Sequence, residues 1–323
     1  MDLFSVNTDD LFIIDTDCGS DDAIAILLAL IKCPSQVIAF TCCYGNAPIH
    51  QVCQNVMKVM VACNQKQIPV YKGCAGSLLN TNIPFVVHGS DGFGDCGQEF
   101  SSGNLKEETD SACFGLINLT KKYPGRITLI ALAPLTNLAI THRIDPEFTK
   151  RLKSIVCMGG NYRGVGNVTE TAEFNFYCDP VAADIILTES KCPITLVPWE
   201  TTEDHGIDWT DFEKLLNKQT KTAYFIKRTS SATIDFCRKE ESPTYPDCDL
   251  MATVAALYPA CVKKTIKRTI RVECKGEFST GLCICSNVPP GCATDKKSID
   301  IVTEFNIPML TKLREDIYNY NTI

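Results

Sequence analysis

The sequence predicts a single α/β domain with a mainly parallel central sheet flanked by helices, and three observations predict it. Apolar strand-like runs alternate with helical patterns along most of the chain, the order expected of βαβ units. The strand runs, Phe-Ile-Ile-Asp at 12–15, Val-Ile-Ala-Phe at 37–40, Ile-Thr-Leu-Ile-Ala-Leu at 127–132 and Ser-Ile-Val-Cys-Met at 154–158, are apolar almost throughout. Strands buried on both faces look like this. No internal repeat, low-complexity tract or linker divides the 323 residues, so 1–323 reads as one domain with ample length for a buried core.

The elements follow in order. A strand at 11–15 leads into a helix at 21–32, where Asp21 and Asp22 in the first turn complement the helix dipole. A strand at 36–41 precedes a helix at 49–63, and a strand at 127–131 precedes a short helix at 135–141. A strand at 154–158, a helix at 179–189 and a strand at 194–198 continue the alternation. Two segments interrupt it. The stretch 73–108 is rich in Gly, Ser, Asn and Asp, and 200–249 mixes short helical patterns with polar residues. Long insertions in an α/β domain are commonly lids or binding loops. Residues 265–304 read as short strands and 307–320 as a closing helix.

Composition narrows the function classes. Hydrophobic residues are 45% and charged residues 21%, the balance of a globular protein. The longest apolar run, 23–31, falls well short of the ~20 residues of a membrane span. Net charge is −7 with no long basic run, which disfavours nucleic acid as a partner. The densest basic stretch, 263–271, alternates with Thr and Ile and reads as a strand with one solvated face. Residues 1–10 have no basic start and no cleavage-type pattern, so a cytoplasmic location is expected. The 19 cysteines are an odd number, mostly set in apolar stretches, and none forms a CxxC pair. Reduced, buried thiols in a reducing compartment fit them best. Cys283 and Cys285 form a lone CxC with Cys274 and Cys292 nearby, a spacing that matches no common zinc pattern.

The strongest feature is Asp15-Thr16-Asp17-Cys18-Gly19-Ser20-Asp21-Asp22-Ala23, four carboxylates within eight residues at the end of the first strand. In an open α/β sheet, ligands bind at the carboxyl ends of strands. Helix capping explains one acid, or two, and not four converging on one turn. Like charges that close repel, and a hard cation with oxygen ligands relieves them. Three classes use such a cluster: a calcium-binding module, an aspartyl-nucleophile phosphatase, and a hydrolase in which a cation activates water. An EF-hand would need Glu where Ile26 stands.

Here the residues carry a resemblance. The Asp15–Ala23 segment is similar to the N-terminal signature of the inosine–uridine-preferring nucleoside hydrolases. Further motifs appear in the family's order. They are Tyr44-Gly45-Asn46, His88-Gly89 with Asp91-Gly92, Ala133-Pro134-Leu135-Thr136-Asn137-Leu138 and Met158-Gly159-Gly160. Gly166-Asn167-Val168-Thr169, Ala172-Glu173-Phe174-Asn175 and Asp179-Pro180 follow, with Asp249 opening an Ala-rich helix. Together they span about 11–310 and leave no segment for the phosphate-binding lysine a phosphatase needs.

The resemblance implies a nucleoside hydrolase (Rossmann-like) fold, hydrolysis of the N-glycosidic bond of a ribonucleoside, and a bound Ca²⁺. It implies that Asp17, Asp22, Asp249 and the Thr136 carbonyl hold the ion. Asp17 would also be the general base on water, with Asp15 supporting it from behind. Asp21, Asn46, Asn175 and Asp249 would grip the 2′- and 3′-hydroxyls, Asn167 and Glu173 would reach the 5′-hydroxyl, and Met158 would pack under the sugar. It also implies a homodimer or homotetramer. Where the best-characterised branch has a His as general acid, this chain has Cys248. A neutral thiol is a weak substitute for imidazolium, so the leaving-group proton passes to His88, to the 200–249 segment or to solvent. His50, His142 and His205 read as structural or exposed. Trp199, with Glu200 at the same rim, is a candidate to stack on the base or to serve the core, and Phe93 and Tyr245 are further stacking candidates. Two alternatives remain: another N-riboside such as a nicotinamide riboside-like substrate, and a non-catalytic nucleoside- or ribose-binding protein.

Overall fold

A computed structural model describes residues 6–79, 87–286 and 297–321. Eleven strands are present among them: β1 Leu11–Thr16, β2 Val37–Cys42, β3 Val70–Lys72, β4 Ile127–Ala131, β5 Ser154–Met158, β6 Ile194–Val197, β7 Ile207–Asp208, β8 Thr244–Tyr245, β9 Val262–Val272, β10 Cys283–Ser286 and β11 Ile299–Phe305. Nine of them form one sheet in the order β10-β9-β11-β6-β5-β4-β1-β2-β3. From β3 through to β11 every neighbouring pair is parallel, and only the β11-β9-β10 edge is antiparallel.

Period-2 alternation divides the strand side chains between two cores. Phe12, Ile14, Ile130, Val156 and Met158 face one, and Ile13, Leu129, Ala131, Ile155 and Cys157 face the other. The helices are α1 Ser20–Lys32, α2 Ile49–Ala62, α3 Ala112–Lys122, α4 Thr136–Ile144, α5 Phe174–Cys178, α6 Pro180–Glu189, α7 Trp199–Asp204, α8 Trp209–Leu216, α9 Lys221–Thr229, α10 Ser231–Lys239, α11 Cys248–Leu257 and α12 Ile307–Asn319. Helices α1, α2, α11 and α12 cover the first core, and α3, α4 and α6 the second.

This topology positions the site. The chain leaves β1 toward β2 on one side, and β4 pairs with β1 on the other. The strand order therefore reverses at β1, and a crevice opens beyond the carboxyl ends of β1 and β4. The carboxylate cluster is the segment that emerges there.

Several elements differ from the sequence expectation. The helix expected at 179–189 is present as α6, and a short helix that the sequence did not suggest, α5, precedes it and ends at Asp179. The Asp179 carboxylate caps α6 by accepting Ala182 N–H, and it also accepts the Thr136 hydroxyl and Leu78 N–H. The 200–249 insertion holds four short helices, α7 to α10, closed by the β7/β8 pair. The tail contains an 11-residue strand, β9, in place of short strands. Its outward face is exposed, as the Lys/Arg alternation requires. Strand β3 and helix α3 carry too few periodic residues to stand out in sequence. The loop 88–97 is wound around the Asp91 carboxylate, which accepts N–H groups of Phe93, Asp95 and Gly97 at 2.8–2.9 Å. All 18 described cysteines are free and 14 are buried, while Cys292 lies outside the described residues. No described helix is long and apolar enough to cross a membrane.

The closing helix is locked to the site by a buried ion pair. Arg314 of α12 donates from Nε to Asp247 at 2.7 Å and from Nη2 to its other oxygen at 2.5 Å, with a further bond to the His205 carbonyl at 2.8 Å. Arg314 is 4% exposed and Asp247 1%. Removing one partner leaves an uncompensated buried charge. The Arg314→Met variant is expected to lose ~3–5 kcal/mol of unfolding free energy, read as a lower urea midpoint at unchanged slope; a midpoint equal to that of the parent would refute the locking role.

Candidate active site

The floor of the crevice is built from the turn between β1 and α1. Cys18, buried and non-glycine, sits at φ 31°, a sparsely populated conformation that the surrounding bonds hold in place. Thr16 Oγ1 accepts the Cys18 N–H at 3.0 Å and donates to Asp22 at 2.5 Å. Asp22 also accepts Gly19 N–H at 2.9 Å and Asn46 Nδ2 at 3.2 Å. Asp17 accepts Asn46 N–H at 2.8 Å. Beneath them, Asp15 accepts the Thr41 hydroxyl at 2.5 Å and Asn137 Nδ2 at 2.8 Å. The Tyr44-Gly45-Asn46 turn presses close: a Cβ on Gly45 would lie 1.9 Å from Asp17 Oδ2.

The electrostatics are unfavourable without a cation. Burial pushes the Asp15 carboxyl up to about 7. Burial and then the Asp22 charge raise Asp17 well above the carboxylate range. Burial and Asp21 raise Asp22 to about 6, and burial with Asp22, Asp21 and Asp17 raises Asp249 strongly. Asp17 Oδ1 and Asp15 Oδ2 are buried without any hydrogen-bond partner. Carboxylate oxygens of Asp21, Asp22 and Asp249 lie within 4.8 Å of one another, the one such grouping among the described residues. An oxygen-only donor set with an orphaned buried oxygen beside it fits a hard divalent cation. Cys274, Cys283 and Cys285 form no such grouping, and Cys292 lies outside the described residues.

Above this floor lies a cavity of about 290 Å³. Of the residues singled out in sequence, Asp21, Asn46, His88, Met158, Asn167, Glu173, Asn175, Trp199, Cys248 and Asp249 line it. Asp15, Asp17, Asp22 and Thr136 are fully buried and lie outside its lining, and the Thr136 hydroxyl is spent on Asp179 at 2.7 Å. Among the described residues, no Lys or Arg lines the cavity.

Each wall residue is held by its neighbours. Glu173 caps α5, accepting N–H groups of Asn175 at 2.8 Å, Gly160 at 2.7 Å and Phe176 at 3.1 Å, and burial pushes it up to about 7. Asn175 Nδ2 donates to the Leu132 carbonyl at 2.7 Å, and Asn167 Oδ1 accepts Phe174 N–H at 2.9 Å. His88 Nδ1 lies 2.8 Å from the Ser20 hydroxyl and 3.1 Å from that of Thr233, while its Nε2 lies 3.5 Å from Asp21. The Thr202 hydroxyl donates to the Trp199 carbonyl at 2.8 Å. Its contact with Cys248 Sγ at 3.2 Å is therefore one in which the thiol donates.

Three expectations are corrected. Phe93 and Tyr245 are fully buried and line no part of the cavity. Phe93 packs edge-on against Phe225 and Tyr245 stacks on Phe212 at 4.0 Å, so both serve the core. Glu200 turns inward from α7 and accepts N–H groups of Tyr162, Arg163 and Val165, which anchors the 159–172 loop. The sequence reading missed Phe174, Phe236, Cys237, Glu240, Ser242 and Pro246 in the wall. A signal existed: Thr233, Phe236, Cys237 and Glu240 recur at i, i+3, i+4 and i+7, one face of α10 continued onto its C-cap.

The model of the "Inosine-uridine preferring nucleoside hydrolase" family matches residues 12–312. The chain belongs to that family. This nucleoside hydrolase is 35% identical over 316 residues to a probable uridine nucleosidase 2 of Arabidopsis thaliana, covering 94% of this chain and 96% of the relative. Among solved structures it is similar to an inosine-guanosine nucleoside hydrolase at 30% identity and TM-score 0.87, covering 96% of this chain and 99% of that one. A plant nucleoside hydrolase, PpNRh1, superposes with TM-score 0.88 at 29% identity over 96% of this chain and 98% of that one. The hydrolase is accordingly an enzyme acting on N-glycosyl bonds of nucleosides.

The Gly45 contact gives a direct test of the floor. In Gly45→Ala the new methyl must displace Asp17, and a displacement of about 1 Å at a reacting group costs about 100-fold in rate. Nucleoside hydrolysis is expected to fall by that factor, with a native circular dichroism spectrum and an unfolding free energy lower by about 1–3 kcal/mol from overpacking.

Proposed function

We propose that this nucleoside hydrolase is a calcium-dependent ribonucleosidase, releasing free base and ribose, with Asp17 as general base and His88 as donor of the leaving-group proton. The observation that carries it is the buried, partnerless Asp17 Oδ1 beside Asp22 and Asp249, under a cavity that no described Lys or Arg lines. Asp17, Asp22, Asp249 and the Thr136 carbonyl would hold the ion, with Asp21 close enough to share it or the substrate. Ca²⁺ bound there supplies positive charge that acidifies water at the floor.

The chain's own residues do the rest. Asp17, screened from solvent, takes the proton from water aimed at the anomeric carbon. Cleavage develops positive charge on the ribose ring, and the carboxylates and carboxamides around the cavity stabilise it. Asp21, Asn46, Asn175 and Asp249 offer acceptors and donors to the 2′- and 3′-hydroxyls, Asn167 and Glu173 to the 5′-hydroxyl, and Met158 an apolar seat. Asp15 holds no substrate; it fixes the turn below through Thr41 and Asn137. Cys248 directs its proton at Thr202, away from the cavity, which leaves His88 as the one imidazole in the wall. Trp199 forms the rim against which a base can stack. Small ribonucleosides are the partners; a homodimer or homotetramer in the cytoplasm is the proposed setting, tested by light scattering and by fractionation.

Uridine and inosine, named by the relatives, are the first substrates to assay. Ribose release is expected from at least one of them and is lost in Asp17→Ala. The 2′-deoxy analogue is expected to be cleaved roughly 10⁴-fold more slowly, because buried hydroxyl-binding groups are left unpaired. Chelation is expected to lower Tm, and added Ca²⁺ to restore it, by mass action on the folded state. Calcium-linked stabilisation with no release from any nucleoside would favour the non-catalytic ribose-binding reading, which the Cys248 substitution motivates, or an unusual N-riboside. No stabilisation by Ca²⁺ would overturn the metal assignment.

A further inference from the structure

We propose that Ser20 and Thr233 are positioning residues for His88: a chain of two hydroxyls, anchored on the Val87 carbonyl, keeps a proton on Nδ1 and leaves Nε2 as the atom that gives its proton to the departing base. The proposal rests on the reading of His88 as the proton donor. The three residues come from distant parts of the chain. Ser20 opens α1 at the floor, His88 belongs to the 88–97 loop, and Thr233 lies on α10 of the inserted segment. All three are buried. Ser20 Oγ and Thr233 Oγ1 lie 2.8 and 3.1 Å from His88 Nδ1 and 3.0 Å from each other. Thr233 Oγ1 also donates to the Val87 carbonyl at 3.3 Å.

The carbonyl fixes the direction of the chain. A carbonyl oxygen accepts and never donates, so Thr233 spends its one hydroxyl proton on Val87. Thr233 Oγ1 can then only accept from Ser20, whose own proton is spent in turn. Ser20 Oγ is left as an acceptor, and an Nδ1 proton completes it at 2.8 Å. This order makes three hydrogen bonds in series, from Nδ1 to Ser20 to Thr233 to Val87. With Nδ1 unprotonated, Ser20 must donate to the ring, and Thr233 then serves either Ser20 or Val87. That arrangement makes two. The Asp21 carboxylate pulls the other way, toward a proton held on Nε2, but at 3.5 Å it is longer than a formed N–H···O bond. The shorter contacts at Nδ1 decide the tautomer.

The two ring nitrogens thereby divide the work. As the C1′–N bond breaks, its electron pair goes to the base nitrogen, and that nitrogen takes the proton from Nε2. The water oxygen bonds to C1′ and gives its proton to Asp17. His88 is left neutral, with Nδ1–H still held by Ser20. After the products leave, Asp17 returns a proton to solvent and Nε2 takes one up, so the cycle closes. The hydroxyl chain keeps the same direction throughout and needs no rearrangement. Because Thr233 belongs to the inserted segment, that segment supplies the outer wall and also holds the donor's ring in place.

Two readouts on the full chain with Ca²⁺ present test this. The first is independent of turnover. In protein labelled with ¹⁵N at histidine Nδ1 alone, the His88 signal, assigned by its loss in His88→Gln, is read by magic-angle-spinning NMR at alkaline pH. A protonated Nδ1 is expected; an unprotonated one would overturn the direction of the chain. The second compares hydrolysis of uridine or inosine, whichever is faster, with that of 4-nitrophenyl riboside, whose phenolate leaves without a proton. A placed general acid contributes roughly 10²–10⁴-fold. The nucleoside-to-phenyl-riboside ratio of kcat is expected to fall about 100-fold in His88→Gln and about 10-fold in Thr233→Val, and to return close to the parent ratio in Thr233→Ser, which keeps the hydroxyl. A ratio lowered in His88→Gln and untouched in Thr233→Val would overturn the positioning role alone, as would equal slowing of both substrates in Thr233→Val. A ratio untouched in His88→Gln would overturn the donor reading and the positioning role with it.

Discussion

The burial of like charge at the end of β1 is the constraint on which the rest of this structure depends. Asp15, Asp17 and Asp22 are each fully buried, Asp249 nearly so, and no described Lys or Arg lines the cavity above them. Taking carboxylates out of water without a counter-charge is costly, and their proximity adds repulsion. The fold answers with neutral donors: hydroxyls of Thr16 and Thr41, carboxamides of Asn46 and Asn137, and N–H groups of Gly19 and Asn46. These donors orient the acids and do not discharge them. What they leave over, an unsatisfied oxygen on Asp17 and carboxylates of Asp21, Asp22 and Asp249 within 4.8 Å of one another, is the chemical description of a place for a hard cation.

The scaffold explains why so strained an arrangement persists. The turn is fed by a strand buried on both faces and followed at once by α1, so its two ends cannot relax. The sheet reverses order at that strand, which brings the ends of β4 and β5 and the start of α11 to the same crevice. Asp249 arrives there on α11, and α11 is held in turn by Asp247 against Arg314 of the last helix. Residues more than 200 positions apart thus meet as one acidic floor.

Much of this was legible from the chain. The apolar strands, the βα alternation and the aspartate cluster are local signals, and they place the floor without any tertiary information. Asn46, Glu173, Asn175 and Asp249 were found through the family resemblance, since as isolated residues each reads as an ordinary turn or cap. Phe93 and Tyr245 misled because aromatic content cannot tell a core ring from a wall ring; that depends on which way a short helix turns. Glu200 misled for the same reason, as an acid at a strand end also serves as an N–H acceptor for a neighbouring loop. The wall residues Phe236 and Glu240 were missed because α10 is only nine residues long and its inward face mixes polar with apolar types, which blurs the amphipathic pattern.

Floor and wall have separate origins in the chain. The floor is made of strand ends and helix starts belonging to the sheet itself, while much of the outer wall, Thr233, Phe236, Cys237, Glu240, Ser242 and Pro246, belongs to one inserted helical segment pinned at its neck by the two-residue pair β7/β8. That segment meets the floor through Thr233, which contacts Ser20 and His88, and its other wall residues make no hydrogen bond to the floor carboxylates among the described residues. The architecture is therefore modular in an evolutionary sense: the bond-breaking half is frozen by its own electrostatics, and the half that meets the leaving group is free to be rewritten by descent.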